Sequence, residues 1–167
     1  MAAGNTYTPI ATTTLGSAVA SYTFSSIPGT YTDLVLVIAL PGSGTGTPSC
    51  SLTLNGDTAN NYGRVHLLGN GATATSTSGA TQGVVYLSYT AYATAVAKTW
   101  ICSLNNYSNT TTKKAILTRE SDATNNVSLS INSWNATPAA ITTILVSAAT
   151  YNFAIGSTFS LYGILAA

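Results

Sequence analysis

The chain has 167 residues, enough for one domain that buries roughly 70% of the surface its unfolded form exposes, and it carries five Lys/Arg against four Asp/Glu, a net charge of +1. Charged residues make up 5% of it, against about 25% in an ordinary soluble domain, which leaves no long-range field for gathering nucleic acid, acidic lipid or an acidic substrate. Solubility then rests on Thr, Ser and Asn, and a nearly uncharged surface tolerates close packing against copies of itself.

Residues 1–5 read as a loose tail and 6–167 as a single domain. The opening MAAGNTYTPIATTT has neither the basic nor the apolar region of a secretory leader. Thr-rich Tyr7 to Leu15 reads as a first extended segment, Val19 to Phe24 as a second, and Ile27-Pro28-Gly29 as a turn. Thr32 to Leu40 is the strongest strand. Its apolar run LVLVIAL does not alternate, so a central position covered on both faces is expected, and it falls far short of the ~20 residues a membrane span needs. Pro41 to Ser49 reads as a surface loop, and Ser51 to Leu54 as a strand entering the turn pair Asn55-Gly56.

Tyr62 to Leu68 carries Arg64 and His66 on one strand face. The Gly, Ala, Ser and Thr of Asn70 to Gly83 read as a loop, Val84 to Thr90 as a strand with Tyr86 and Tyr89 on opposite faces, and Ala91 to Ala97 as a connection. Thr99 to Tyr107 and Lys113 to Glu120 form a hairpin about the polar run Asn109-Thr110-Thr111-Thr112. Asn126 to Trp134 alternates cleanly, with Val127, Leu129 and Ile131 on one side and Ser128, Ser130, Asn132 and Trp134 on the other. Ile141 to Ser147 and Thr158 to Leu165 complete the chain. About ten strands and no amphipathic helix predict an all-β fold, an antiparallel two-sheet β-sandwich of jelly-roll-like type.

Chemistry is sparse. One histidine and two cysteines 52 residues apart make no metal set, and Cys50 and Cys102 read as buried free thiols. Asn105 to Asp122 concentrates Lys113, Lys114, Arg119, Glu120 and Asp122, more than half the charges in the chain. Glu120 and Asp122 stand two apart on a strand, close to the separation that glycoside hydrolysis uses, but beside Arg119 at a strand end they read as a solvated rim. No nucleophile elbow or phosphate cradle is present in the sequence, so no catalytic residue, cofactor or metal is assigned. Lys113, Lys114, Arg119, Glu120 and Trp134 are the candidate interface residues, Trp134 because alternation puts it on the polar side of its strand.

The stretches NYSNTTTKKAILTRES, TYTDLVLVIAL, LNGDTANNYGRVHLLGNG and NFAIGSTFSLYGI resemble a group of small phage virion proteins and tail-fibre modules, in which phrases like IATTTLGS and FSSIPGTYTDLVL recur. The resemblance spans nearly the whole chain, departs from many members at PGSGTGTPS, and supplies no catalytic residues. It implies a β-sandwich on a virion surface, made in the host cytoplasm without a secretion signal. The expected function is capsid decoration: a cement protein, expected as a homotrimer, that binds the outer surface of the major capsid protein, with no nucleic-acid or membrane partner. The alternative is a receptor-binding or structural module of a tail fibre or baseplate, stacking glycans on aromatics such as Trp134.

Overall fold

The computed structural model describes residues 6–42, 46–87 and 96–165, and all of its regular structure is β. Twelve strands follow one another: β1 (Tyr7–Thr14), β2 (Ser21–Phe24), β3 (Asp33–Leu40), β4 (Ser49–Leu54), β5 (Tyr62–Gly69), β6 (Ala74–Gln82), β7 (Val85–Tyr86), β8 (Lys98–Leu104), β9 (Lys114–Asp122), β10 (Val127–Trp134), β11 (Ile144–Ala149) and β12 (Thr158–Ile164). They form an eight-stranded sheet in the order β1-β12-β3-β8-β9-β10-β5-β6 and a four-stranded sheet in the order β2-β11-β4-β7. Every pairing is antiparallel, so the two-sheet sandwich expected from the strand pattern is the fold observed. The tail at residues 1–5, part of the 41–49 loop, Tyr89 and most of the 91–97 connection lie outside the described residues.

The core follows from the apolar periods. On β3, Leu34, Leu36 and Ile38 are fully buried facing the small sheet, while Val35 on the opposite face is also buried. The unbroken apolar run thus lies centrally, hydrogen-bonded to β12 and β8. Aromatic rings fasten the two sheets: Tyr22 of β2 stacks on Phe159 of β12 at 5.1 Å, and Phe153 meets the same ring edge-on at 5.0 Å. Tyr31 lies over Gly163 on β12 so closely that a Cβ there would fall 2.2 Å from the ring. Only glycine admits that approach.

The hairpin of β8 and β9 forms as the sequence predicts, from Lys98 opposite Asp122 to Leu104 opposite Ile116. Its turn is built by Asn109, whose Oδ1 accepts the backbone N–H groups of Thr111 (2.7 Å) and Thr112 (2.8 Å). Tyr107 is fully buried behind the turn and its hydroxyl donates to the Pro28 carbonyl.

Two expectations need correction. The stretch 70–83 is not a loop throughout: Ala74–Gln82 is a strand paired with β5, entered by a turn in which Asn70 Oδ1 accepts from the Ala72 and Thr73 amides and Gly71 takes φ +81°. Nearly every residue of β6 is exposed, so neither face selects apolar side chains and no period is written into the sequence. Asn55 and Gly56 do both take positive φ, as a two-residue turn demands, yet the flanking strands do not pair with each other. β4 belongs to the small sheet and β5 to the large one, so the turn passes the chain between sheets. The Asn55 side chain anchors it, accepting from the Thr142 and Thr143 amides and donating to the Ala140 carbonyl at 2.7 Å.

Candidate functional site

The strands β5, β10 and β9 lie side by side, and their two faces are distributed against the ordinary rule. The inward row holds Arg64, His66, Thr118, Ser130 and Asn132, all buried, and the side chains of Glu120 (7% exposed) and Lys98 (fully buried). The outward row holds Val65, Leu67, Val127 and Ile131, which are 52, 49, 59 and 55% exposed.

Strand register makes this a continuous arrangement. Cys102, Thr118, Ser130 and His66 stand opposite one another across four strands, as do Ile116, Asn132 and Arg64 across three. One residue further along each strand, Val65, Ile131 and Leu117 form an apolar row on the outer surface, and Leu67, Leu129, Arg119 and Ile101 form the next. Because side chains alternate with period two, an apolar outer row and a polar inner row are one choice of register.

Burying the polar row requires that its charges be paired. Lys98 Nζ lies 2.5 Å from Glu120 Oε1 and 5.3 Å from the Trp100 ring, and Ser128 Oγ donates to the second Glu120 oxygen at 2.9 Å. Arg64 lies over the Tyr86 ring at 4.7 Å, and the Tyr86 carbonyl accepts from Ser130 and Asn132 at 3.4 Å. β7 therefore closes the inner face of β5 and β10. His66 sits among these groups with its pKa lowered: burial is the main cause, Glu120 pulls the other way, and Arg64 and Lys98 add to the lowering. His66 Nε2, Trp100 Nε1 and Asn132 Oδ1 have no hydrogen-bond partner among the described residues.

The five candidate interface residues are divided by the fold. Lys113 and Arg119 are exposed, Arg119 within the outer apolar face. Lys114 is 3% exposed and serves the turn, its ammonium donating to the carbonyls of Asn109 (2.5 Å) and Thr112 (2.8 Å), and burial lowers its pKa. Glu120 belongs to the interior ion pair. Trp134 is 5% exposed and its indole N–H donates to Asp57 Oδ2 at 2.7 Å. As surface contacts, Lys114, Glu120 and Trp134 are therefore withdrawn: the polar side of β10 is the inside, because the inner face of β9 and β5 supplies it with polar partners.

Glu120 and Asp122 accept hydrogen bonds from different partners, Glu120 from Ser128. Asp122 caps the turn to β10, accepting from the Thr124 amide at 2.8 Å and the Asn126 side chain at 3.0 Å. Cys50 and Cys102 are buried and unbridged, and burial pushes the Cys102 thiol up to about 12, far from the range of a nucleophile at neutral pH.

What the reading of charges missed is the outer apolar face. It was written in the alternation of 127–134, but with Trp134 on the polar side the apolar side is the natural choice for the core. A groove of about 540 Å³ runs along this face between the ends of β5, β6 and β10, lined by Leu67, Ala74, Ser76, Val127 and Leu129 among others. Set beside known proteins, the chain matches no protein-family model, no curated protein and no solved structure.

Proposed function

We propose that the chain is a non-catalytic structural subunit of a phage virion, a decoration protein that docks the outer face of its large sheet onto the major capsid protein and so stabilises the head. One observation carries the docking surface: Val65, Leu67, Val127 and Ile131 are each about half exposed, on a sheet face whose charges among the described strands are Arg119 and, at the start of β3, Asp33. Contiguous exposed apolar surface of this kind marks sites of protein association. Covering it removes apolar area from water at about 25 cal/mol per Å², and because only the assembled shell presents the partner surface, that binding free energy stabilises the shell by linkage.

The phage assignment rests on the sequence resemblance, and the near absence of charge fits a subunit that lives packed among others. The tail-fibre reading loses one of the aromatics offered for its glycan contact, since Trp134 is buried. Removing the protein from purified particles is expected to lower their thermal and osmotic stability while host adsorption persists. Restoring wild-type chain rescues stability, and the triple substitution Val65→Ser, Leu67→Ser, Ile131→Ser does not. Intact stability with abolished adsorption would overturn decoration in favour of receptor binding.

A further inference from the structure

The described strands leave four sheet edges, and three of them are blunted. β1 carries Pro9, which has no N–H to offer, and a register shift between Pro9 and Ala11. β2 is four residues long and β7 is two. β6 is different. It closes the large sheet with nine residues, Ala74–Gln82, that contain no charge and no proline, and almost all of them are exposed. In an antiparallel ladder alternate residues direct their N–H and C=O groups away from the neighbour, so β6 presents an open row of donors and acceptors.

The sequence of that edge is nearly palindromic. About Thr77, Ser76 matches Ser78, Thr75 stands against Gly79 and Ala74 matches Ala80. Two copies of β6 laid antiparallel about a two-fold axis at Thr77 would therefore oppose Thr77 with Thr77 and Ser76 with Ser78, small neutral residues throughout and no like-charged pair. The ladder between β5 and β6 is regular from Ala74 to Gly79, so the segment is already extended and in register for a further strand.

We propose that β6 is a self-pairing edge: two copies of the chain join through it in antiparallel fashion, continuing the eight-stranded sheet across a two-fold axis. Such a dimer is an alternative to the homotrimer that the resemblance implies. With the axis perpendicular to the sheet, Val65, Leu67, Val127 and Ile131 of both copies come to lie on the same side, doubling the apolar face. The pairing itself needs no capsid and is independent of the virion assignment.

The test uses the full chain in sedimentation analysis, with far-UV circular dichroism as the check on folding. Ser76 and Ser78 stand opposite Leu67 and Val65 on exposed positions, so substitution there leaves the core untouched. Wild type is expected to be a dimer. Ser76→Lys with Ser78→Lys sets two lysine pairs across the axis and is expected to raise the dimer dissociation constant by about tenfold or more. Ser76→Lys with Ser78→Glu sets lysine against glutamate at the same two places and is expected to keep the dimer. A monomeric wild type overturns the proposal. So does a dimer indifferent to the double-lysine variant, which would place the interface elsewhere, or dissociation by both variants alike, which would exclude the two-fold at Thr77.

Discussion

Lys98 and Glu120, 22 positions apart, meet inside the sandwich with Nζ 2.5 Å from Oε1, Lys98 fully buried and the Glu120 carboxylate nearly so. Their strands are adjacent, but they are not directly opposed: Lys98 faces Asp122 and Trp100 faces Glu120, so the pair closes diagonally over the inner surface of the hairpin. Removing one partner strands the other charge in the interior. Glu120→Gln is expected to destabilise the chain by about 3–5 kcal/mol in chemical denaturation, whereas Lys98→Met combined with Glu120→Met costs much less, because both charges of the pair are then removed together. Equal losses in the single and double variants would show that packing, not charge pairing, is what the site supplies.

Trp134 and Asp57 form the second test. The indole N–H donates to the Asp57 carboxylate, which also accepts from the Asn61 side chain and the Ala59 amide. Burial raises the Asp57 pKa, these hydrogen bonds outweigh it, and the net shift is downward from 3.8. Trp134→Phe is expected to cost about 1.5–3 kcal/mol by removing a hydrogen bond to a charged group. A carboxyl depressed on folding contributes stability above its unfolded value that is lost as pH falls through the folded one. Acid unfolding below about pH 4 should therefore shift to higher pH in Trp134→Phe.

His66 supplies a pH dependence of its own, with the opposite chemistry and the same direction. Its folded pKa is lowered below 6.5 by burial, with Arg64 and Lys98 contributing and Glu120 opposing. Below pH 6.5 the unfolded chain takes up a proton that the folded chain resists, so stability falls as pH drops through that window and is flat above it. His66→Gln is expected to flatten the slope between the lowered folded value and 6.5. A wild-type stability that rises on acidification through this window would show that the Glu120 carboxylate dominates the site.

The outer face offers a contrast between assembly and stability. Ile131 is 55% exposed and Leu67 49%, so Ile131→Ser and Leu67→Ser are expected to change the melting behaviour of the isolated chain by within about 0.5 kcal/mol while weakening association. Leu36→Ala, fully buried in β3, is expected to cost about 2–5 kcal/mol. If Ile131→Ser proves as damaging as Leu36→Ala, the outer face is structural and carries no docking surface.

Much of the fold was legible because half-buried and buried strands write their period into the chain. LVLVIAL marked an interior strand of the large sheet, and Asn109 with its threonines marked the β8–β9 turn, since a side-chain amide that accepts two backbone N–H groups is a local device. β6 was not legible, because an edge strand exposed on both faces imposes no apolar period. Lys114 was misjudged for a related reason: a lysine looks like surface until a turn's free carbonyls are found within its reach.

The sequence by itself determined the all-β class, most strand positions, and the alternation of 127–134. Which side of that alternation is the interior was decided only by tertiary structure. Period two fixes that Ser130 and Asn132 face one way and Val127 and Ile131 the other, but it is silent on which face meets the second sheet. The choice fell to the polar side because strands distant in sequence bring Arg64 and Tyr86 to the same inner face and Lys98 to Glu120, satisfying groups that would be costly to bury alone. The apolar side, with Val65, Leu67, Val127 and Ile131, was thereby left on the outer surface.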